Sequence, residues 1–343
     1  MSLQRSISSV IAISLLFAAG AARAEPHMIT RDTTAMGTLV RISIWSDDDE
    51  GALRAIDAGF DEIRRIEGLM TTWRPDSDVS RVNAQAGIAP VKVSDETLEV
   101  IEMAQRSSQM SHGAFDISFY VMHGLWKFDE DLEKKVPTKA EIGKLRPLID
   151  YRKIIVDPKA KTVFLEKKGM KIGLGGIAKG YAVDRAVAIL RRDGFPNAIV
   201  QAGGDLMCAG SKGGRPWTTG IRDPRGPRND SFAVMWLENH AFSTAGDYER
   251  YFFLDGKRYH HIIDPQTGYP ATRSRSVTIY APNAFLADAI DDAVFILGWK
   301  KGIEMIDAIP DAGAVVVDSE GQVHISKRVQ GRVKIIHPPT NAP

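Results

Sequence analysis

The chain has few of the features that would place it in a specialised class of protein. It contains one cysteine, Cys208, so no disulfide within the chain can stabilise the fold. Basic and acidic residues are almost equal, 44 Lys and Arg against 43 Asp and Glu, which gives a formal net charge of +1. No global basic field therefore indicates nucleic acid or an anionic membrane as a partner, and any anionic ligand must be bound locally.

The N-terminal residues predict export. Arg5 is followed by a mostly apolar run over residues 10–19 and then by Ala22-Arg23-Ala24, an A-x-A cleavage pattern. This run is far shorter than the roughly 20 residues needed to span a bilayer. We therefore expect residues 1–24 to be a secretory signal peptide and the protein from Glu25 onward to be soluble and periplasmic, with no lipid-bearing cysteine at the cleavage site. Removal of Arg5 and Arg23 changes the formal charge from +1 to −1.

The spacing of apolar residues predicts an α+β fold, with a single domain over residues 25–343. The predicted helices cover residues 47–70, 94–111, 178–192 and 284–297, and the predicted strands cover residues 38–45, 154–156, 162–165, 198–201, 251–254, 259–263 and 276–280. Strands joined mostly by turns favour mainly antiparallel sheets with packed helices over a doubly wound sheet. A charged stretch at about residues 127–150 indicates a surface insertion.

A glycine-rich segment is the first candidate for ligand binding. In Gly173-Leu-Gly-Gly-Ile-Ala-Lys-Gly180, a predicted strand enters a turn that opens onto a predicted helix. Glycines let backbone N–H groups approach a diphosphate, a helix N-terminus offers unpaired donors, and Lys179 adds a positive charge. The spacing matches neither the P-loop pattern nor the dinucleotide fingerprint, so an ordinary turn is the alternative.

Three further segments combine turn residues with polar side chains. Gly203-Gly-Asp205 follows a predicted strand, Thr244-Ala-Gly-Asp-Tyr248 is predicted to form a turn between two strands, and His260-His-Ile-Ile-Asp264 is predicted to end a strand. Hairpin chemistry alone would explain the glycines and aspartates. A strand histidine is usually structural, but it can also accept a proton or bind a ligand, because histidine changes its charge near neutral pH.

Three aspartates in a largely apolar helix indicate a metal site. Asp288 and Asp292 are four residues apart and share one face of the predicted helix, and Asp291 lies beside them. Buried carboxylates are costly unless they are paired or bind a cation. Magnesium binds one or two protein carboxylates and completes its shell with phosphate oxygens and water, so this helix and the glycine-rich turn would complement each other. An exposed acidic stripe is the alternative.

The order of these motifs resembles that of the ApbE family over essentially the whole chain after residue 24. The motifs that carry the resemblance are Thr34-Ala-Met-Gly-Thr38, Met70-Thr-Thr-Trp-Arg-Pro-Asp-Ser-Asp-Val-Ser-Arg-Val-Asn83, Gly113-Ala-Phe-Asp-Ile-Ser118, Gly175-Gly-Ile-Ala-Lys-Gly180, Gly203-Gly-Asp205, Thr244-Ala-Gly-Asp-Tyr248, His261-Ile-Ile-Asp-Pro265 and Ala287-Asp-Ala289. The resemblance implies an FAD site with Mg²⁺ at the diphosphate, and transfer of FMN from FAD to a threonine or serine hydroxyl with release of AMP. The partner it implies is a flavin-accepting subunit of a membrane or periplasmic redox complex.

The resemblance also assigns roles to residues. The residues it implies for the FAD pocket are Met36, Trp73, Asp116, Lys179, Gly203, Gly204, Asp205, Thr244 and His261. The metal ligands it implies are Asp288, the residue at position 292 and the backbone carbonyl of Ala178. Asp292 stands where the family has a threonine, Ala245 where serine is usual, and Trp73 where tyrosine is common. The added charge of Asp292 could bind the metal more tightly, recruit a second ion or weaken FAD binding.

We expect catalysis through positioning and through neutralisation of charge at the FMN-side phosphorus. Asp288 would act through the metal, and His261 is the first candidate for the base that accepts the proton of the hydroxyl, with a pocket carboxylate as the alternative. Two other functions stay open: an FAD pyrophosphatase that passes FMN to water, and a protein that holds FAD for a redox complex without turning it over. We expect no nucleic-acid ligand, no stable membrane insertion, and a monomer or a homodimer.

Overall fold

The computed structural model describes residues 25–128 and 134–342. The predicted signal peptide, residues 1–24, lies outside the described residues, as do residues 129–133 of the predicted surface insertion. Within the described ranges, no helix is both long and apolar enough to cross a membrane.

Helices and strands alternate irregularly along the described chain. The α-helices are α1 (Asp49–Met70), α2 (Asp78–Ala84), α3 (Asp95–Met110), α4 (Lys139–Leu145), α5 (Ala178–Arg192), α6 (Ala284–Leu297) and α7 (Trp299–Asp307). The strands are β1 (His27–Ala35), β2 (Thr38–Ser46), β3 (Val91–Lys92), β4 (Ile154–Asp157), β5 (Thr162–Leu165), β6 (Ala198–Ala202), β7 (Asp205–Ala209), β8 (Trp217–Arg222), β9 (Ser231–Leu237), β10 (His240–Gly246), β11 (Tyr251–Leu254), β12 (Lys257–His260), β13 (Ser274–Ala281), β14 (Gly313–Asp318), β15 (Val323–Ile325) and β16 (Val333–Ile335).

An eight-stranded sheet forms the centre of the fold, in the order β1-β2-β6-β7-β10-β13-β14-β15. Two three-stranded sheets, β16-β9-β8 and β3-β5-β4, and the two-stranded ribbon β11-β12 complete the sheet structure of the described residues. All of these strand pairs are antiparallel. The predicted α+β class with mainly antiparallel sheets is therefore confirmed.

The central sheet lies between a layer of helices and a smaller sheet. Ile42 and Val200 on one face belong to the main core, which also contains the buried sides of α1, α5 and α6. Leu206 and Phe242 on the other face form a second core with Phe232 of β9. Since successive side chains of a strand point to opposite faces, a sheet covered on both sides needs apolar residues at nearly every position. This explains the apolar runs Ala198–Val200 in β6, Leu206–Ala209 in β7 and Ala314–Val317 in β14.

The bounds predicted for α5 and α6 agree with the structure at both ends. The strand predicted to enter the glycine-rich turn is wrong, because residues 166–174 form neither strand nor helix. Their backbone is held instead by the side chain of Asn83, which bonds both the carbonyl (2.9 Å) and the N–H (2.7 Å) of Ile172. Thr244 lies inside β10 and not in a turn, because β10 pairs with β13 as far as Gly246. The strand predicted over residues 259–263 ends earlier, at His260, where its partner β11 begins.

Candidate active site

The glycine-rich turn of residues 175–177 leads directly into α5. Ile177 precedes the helix and provides no side-chain cap for it. The first N–H groups of a helix have no intrahelical partner, and the partial positive charge there favours anions. The turn therefore provides backbone donors at a helix N-terminus, as the sequence predicts for a phosphate site.

Helices α5 and α6 approach each other closely at Gly180. A Cβ atom on Gly180 would lie 2.2 Å from the carbonyl oxygen of Ala284 and 2.7 Å from the Cβ of Asp288. The N–H of Gly180 donates a hydrogen bond to Oδ2 of Asp288 at 2.7 Å. The carboxylate of Asp184 on α5 accepts hydrogen bonds from the N–H groups of Ala284 (3.0 Å) and Phe285 (2.8 Å), which begin α6. These contacts fix Asp288 beside the first turn of α5.

Three buried carboxylates meet at this point. Oxygen atoms of Asp205, Asp288 and Asp291 all lie within 4.8 Å of one another. The Nζ of Lys179 is 2.9 Å from Oδ2 of Asp205 and 3.2 Å from Oδ1 of Asp288. The hydroxyl of Ser243 contacts both Asp205 and Asp291, the latter at 2.6 Å. Because a hydroxyl has one proton to donate, Ser243 can donate to only one of these two carboxyls when both are ionised, and Asp205 is the one that Lys179 also pairs with.

Burial and mutual repulsion oppose ionisation of these carboxyls. Burial, reinforced by the charge of Asp205 and opposed by Lys179, raises the pKa of Asp288 to about 7. Burial and the neighbouring carboxylates raise the pKa of Asp291 well above its usual range. Burial would lower the pKa of Lys179, but the three carboxylates outweigh it and hold this pKa well above its ordinary value. A cation bound among the three carboxylates would therefore stabilise their ionised forms.

Asp292 lies on the same helix as Asp288 but faces the glycine-rich turn. Its Oδ2 lies 3.2 Å from the position that a Cβ on Gly176 would occupy, and the ring of Phe115 is 3.5 Å from that same position. Burial raises the pKa of Asp292 to about 6. Asp292 is not one of the three grouped carboxylates. Ala178 is the first residue of α5. The roles of Asp292 and of the Ala178 carbonyl as metal ligands stay predictions.

The β6–β7 turn, Gly203-Gly204, places Asp205 in the cluster. Gly203 has a φ of +60°, and a Cβ added to it would lie only 2.8 Å from Oγ1 of Thr38. A Cβ on Gly204 would lie 2.7 Å from the carbonyl oxygen of Thr244, whose N–H donates to the carbonyl of Gly204. The side chain of Thr244 hydrogen-bonds Thr278 at 3.0 Å. Any larger residue in this turn would therefore displace Asp205 from β10.

The β1–β2 turn is linked to His261 through Arg250. Met36 in this turn has a φ of 52°, and its N–H donates to Oε1 of Glu67 at 2.8 Å. A bulky residue in this left-handed conformation is strained, and such strain is often found at ligand sites. The carbonyl of Gly37 accepts a hydrogen bond from Arg250 at 3.4 Å, and the carbonyl of Arg250 accepts one from the N–H of His261 at 3.1 Å. Met36 and His261 therefore lie on the same side of the site.

The imidazole of His261 is neutral at neutral pH. Burial, together with nearby charges that include Arg250 and Lys179, lowers its pKa to about 3. Its Nδ1 is buried and has no hydrogen-bond partner among the described residues. A buried ring nitrogen without a partner is unusual, and it can hydrogen-bond a ligand.

An exposed aromatic residue is linked to the glycine-rich segment through two other rings. The side chain of Trp73 is 80% exposed, and its ring meets that of His123 edge to face at 5.6 Å. His123 stacks on Tyr120 at 4.7 Å, and Tyr120 packs against Gly173, where a Cβ would lie 2.4 Å from its ring. The hydroxyl of Tyr120 also donates to Thr72 at 2.7 Å. Trp73 is thus anchored to the glycine-rich segment and offers a flat surface to an aromatic ligand.

Asp116 mainly organises the backbone. Its Oδ1 accepts hydrogen bonds from the N–H (2.8 Å) and hydroxyl (2.6 Å) of Ser118, and its Oδ2 accepts one from the N–H of Tyr151 (2.8 Å). It also lines an open cavity of about 530 Å³, together with Arg146 and Arg152. The three grouped carboxylates do not line this cavity. The predicted contact of Asp116 with FAD stays a prediction.

Comparison with known proteins identifies the family. The family model described as the ApbE family matches residues 36–316. The FAD:protein FMN transferase of Treponema pallidum is 32% identical over 92% of this chain and 91% of its own length, and a Klebsiella pneumoniae protein of that name is 32% identical over 85% and 89%. The chain belongs to the ApbE family. The predicted resemblance is confirmed.

Solved structures of the ApbE family show the same fold. The crystal structure of the ApbE protein from Thermotoga maritima has a TM-score of 0.81 at 35% identity and covers 89% of this chain and 99% of its own. The flavin transferase ApbE from Vibrio cholerae has a TM-score of 0.79 at 25% identity, with coverages of 90% and 99%. The likeness therefore extends over about nine tenths of this chain.

Three residues of the cluster go beyond the predicted metal ligands: Asp205, Asp291 and Ser243. Ser243 was not predicted from the sequence, and Asp205 was predicted only as part of a flavin-binding turn. Asp205 and Ser243 are cross-strand partners on β7 and β10, a relation that no local pattern specifies. The sequence places Asp291 beside Asp288 and Asp292 without choosing it as a ligand, although it lies three residues after Asp288, a spacing that also places two side chains on one helix face.

Proposed function

We propose that this member of the ApbE family is a magnesium-dependent FAD:protein FMN transferase. It would transfer FMN from FAD to a threonine or serine hydroxyl of another protein and release AMP. The relatives from Treponema pallidum and Klebsiella pneumoniae carry this enzyme name. The observation that supports it most directly in this chain is the contact of Lys179, in the first turn of α5, with the buried Asp205 and Asp288. A helix N-terminus, a lysine and grouped carboxylates are what a diphosphate and a hard cation together require.

The site offers groups that suit the diphosphate of FAD and one of its aromatic rings. The diphosphate would bind at the glycine-rich turn, where Lys179 and the N-terminus of α5 provide positive charge. The exposed indole of Trp73 would stack on an aromatic ring of FAD. Met36, with its left-handed backbone, and the crowded Gly203-Gly204 turn would approach the ligand from the sheet side.

The residues present fit a magnesium ion. Asp205, Asp288 and Asp291 offer oxygen ligands, and the hydroxyl of Ser243 cannot donate to two ionised carboxylates at once. We propose that Asp288 and Asp291 hold the ion, with Asp292 and the carbonyl of Ala178 as further donors. When bound, magnesium would neutralise charge on the diphosphate and favour departure of AMP.

The chain's own residues would position the acceptor hydroxyl and take up its proton. The hydroxyl oxygen forms a bond to the FMN-side phosphorus while the bond from that phosphorus to the bridging oxygen breaks, so AMP leaves with the bridging oxygen. His261 is the proposed acceptor of the hydroxyl proton, since its ring is neutral and its Nδ1 has no partner among the described residues. Arg250 and Lys179 contribute to the low pKa of this ring. A phosphate anion bound nearby would oppose their effect and raise this pKa, which would make the ring a better base.

A single incubation tests the proposed function. Residues 25–343 are incubated with FAD and MgCl₂, with and without a threonine-bearing acceptor domain from a periplasmic redox subunit. We expect AMP release and an increase in the intact mass of the acceptor that matches FMN, both abolished by EDTA. AMP and free FMN without that increase would favour an FAD pyrophosphatase. FAD that stays bound and intact would favour a protein that holds FAD for a redox complex.

We further propose that the enzyme acts in the periplasm on a flavin-accepting subunit of a membrane or periplasmic redox complex. The support is the predicted signal peptide over residues 1–24 with its Ala22-Arg23-Ala24 cleavage pattern. Cell fractionation is expected to find the processed chain in the periplasmic fraction, and replacement of Ala24 by a bulky residue is expected to block processing. Light scattering of the purified protein distinguishes the monomer from the homodimer.

A further inference from the structure

The two ends of the β11–β12 ribbon lie side by side. Tyr251 pairs with His260, so Arg250 and His261, the residues just outside the ribbon, are neighbours. The N–H of His261 donates to the carbonyl of Arg250 at 3.1 Å, which extends the pairing by one residue. Because both atoms belong to the backbone, this bond does not depend on the side chain of Arg250. The bond therefore fixes Arg250 beside the proposed base.

The guanidinium of Arg250 extends toward the β1–β2 turn. It donates to the carbonyl of Gly37 at 3.4 Å, and it lies 3.8 Å from the position that a Cβ on Gly37 would occupy. A distance of 3.4 Å is long for an N–H···O hydrogen bond, and this bond uses one of the five N–H donors of a guanidinium. Arg250 is exposed, and its other donors have no hydrogen-bond partner among the described residues. They are therefore available to a ligand that enters from solvent.

No carboxylate of the described residues forms an ion pair with Arg250. Asp247, three residues earlier, pairs with Arg225 through two bonds of 2.6 and 2.7 Å. Glu249, the residue directly before Arg250, pairs with Arg222 at 3.1 Å. The acidic residues that precede Arg250 in this loop are thus already paired, and the guanidinium keeps its charge for a ligand.

Two cations act on the ring of His261. Arg250 and Lys179 both contribute to the low pKa of this ring, and the effect of Arg250 is the larger of the two. The ammonium group of Lys179 is already bound by Asp205 and Asp288. Within the described residues, Arg250 is therefore the one of these two cations whose charge no carboxylate neutralises.

We propose that Arg250 is a catalytic residue that binds a non-bridging oxygen of the phosphate being transferred, the FMN-side phosphate of FAD. This inference rests on the proposed function, because it needs a phosphorus atom under attack beside His261. The acceptor oxygen bonds to this phosphorus while the bond to the bridging oxygen breaks, AMP leaves with that oxygen, and His261 takes the hydroxyl proton. In such a transfer the charge is spread over the non-bridging oxygens, where an arginine stabilises it.

The proximity of Arg250 to His261 selects the FMN-side phosphate. A base must lie within about 3 Å of the hydroxyl oxygen, and that oxygen must lie about 3 to 3.5 Å from the phosphorus that it attacks. A cation beside the base is therefore also beside the phosphorus under attack. Lys179 and the glycine-rich turn would hold the rest of the diphosphate.

Arg250→Ala removes the guanidinium and keeps the backbone bond to His261. Loss of one group that stabilises developing charge lowers kcat about 100-fold or more in a closed site, and we expect a fall of about 10- to 100-fold for this exposed arginine. The KM for FAD is expected to change less than about threefold, because the interaction strengthens in the transition state. Arg250→Lys keeps the charge but not the planar fork and is expected to retain more activity. Arg54→Ala removes a 73% exposed arginine of α1 and is the matched control.

Two further readouts separate a contact with phosphate from a structural role. Guanidinium ions, at concentrations that leave the unaltered protein fully active, are expected to restore part of the transfer by Arg250→Ala, because the position is open to solvent. The dissociation constants of the two products report which phosphate Arg250 contacts. We expect Arg250→Ala to bind FMN about tenfold more weakly and to bind AMP as the unaltered protein does.

Near-normal transfer by Arg250→Ala would overturn the proposal and leave the proposed function standing. Weaker binding of AMP with unchanged binding of FMN would also overturn it, since Arg250 would then contact the other phosphate. Slower transfer with unchanged FMN binding and no rescue by guanidinium would assign Arg250 to the packing of the β1–β2 turn. Failure of the unaltered protein to modify any acceptor would refute the proposed function itself.

Discussion

Replacement of Gly180 by alanine tests whether the close contact of α5 and α6 builds the active site. The added Cβ would lie 2.2 Å from the carbonyl oxygen of Ala284 and 2.7 Å from the Cβ of Asp288. Neither atom can rotate away, so the helices must separate by about 1 Å to reach ordinary contact distances. Overpacking of this kind lowers the free energy of unfolding by about 1–3 kcal/mol. The corresponding fall in Tm is roughly 2 to 5 °C for a domain of this size.

The same separation would affect the chemistry. It would lengthen the 2.7 Å hydrogen bond from Gly180 to Asp288 and move the carboxylate relative to Lys179. A displacement of about 1 Å can reduce the rate about 100-fold, so we expect a loss of that order in kcat/KM for FMN transfer. Calorimetry and the transfer assay with MgCl₂ measure the two effects.

The matched control is Gly143→Ala in α4, since a Cβ on Gly143 meets no atom within 4 Å. Alanine there is expected to stabilise the helix by up to about 1 kcal/mol and to leave transfer unchanged. If Gly180→Ala kept both its Tm and its activity, the contact between the two helices would not position Asp288, and the reasoning would be refuted.

Three further predictions concern charge and ligand binding. In EDTA, the free energy of unfolding is expected to fall as the pH rises from 5 to 7. In the fold, Asp288 and Asp292 have raised pKa values of about 7 and about 6, so they bind protons that the unfolded chain has already lost. Denaturant titrations at several pH values measure this free energy, and a rise between pH 5 and 7 would contradict the prediction. Asp288→Asn is expected to abolish EDTA-sensitive turnover while far-UV circular dichroism shows a folded protein. Magnesium-dependent activity in this variant would contradict the assignment of Asp288 as a metal ligand. Trp73→Ala is expected to raise the KM for FAD about three- to tenfold with an unchanged Tm, because the ring is 80% exposed; an unchanged KM would exclude stacking on FAD.

The helices of the site were predictable because their ends are encoded locally. Asn283 caps the start of α6, and Gly298, with a φ of 77°, ends it. The glycine-rich turn directly precedes α5, and Lys179 lies in the first turn of that helix, so the start of α5 is also marked by local residues. Such signals lie within a few residues of the boundary, so one sequence is enough to place them.

The carboxylate cluster was only partly predictable because it combines strands and helices far apart in the chain. Asp205 and Ser243 come together through the antiparallel pairing of β7 and β10, and α6 then adds Asp291 from the other side. Register between strands depends on the whole sheet and not on the residues of one strand. Thr72, which precedes Trp73, and Tyr120 likewise meet without any periodic pattern that would predict the contact. In the sequence, the spacing of four residues from Asp288 favoured Asp292 as a ligand. The cluster instead contains Asp291, three residues after Asp288.

Lys179 shows why the sequence alone could not describe the electrostatics of the site. From the sequence, its charge is available for a phosphate group, but in the structure its Nζ is paired with Asp205 and Asp288. Asp291 and Asp292 add two more carboxyls whose pKa values are raised mainly by burial, so one ammonium group faces four acidic side chains. A divalent cation among these side chains would compete with Lys179 for the same oxygen atoms and repel its ammonium group. The lysine would then be free to pair with phosphate oxygens, so binding of the cation and of the diphosphate would each favour the other.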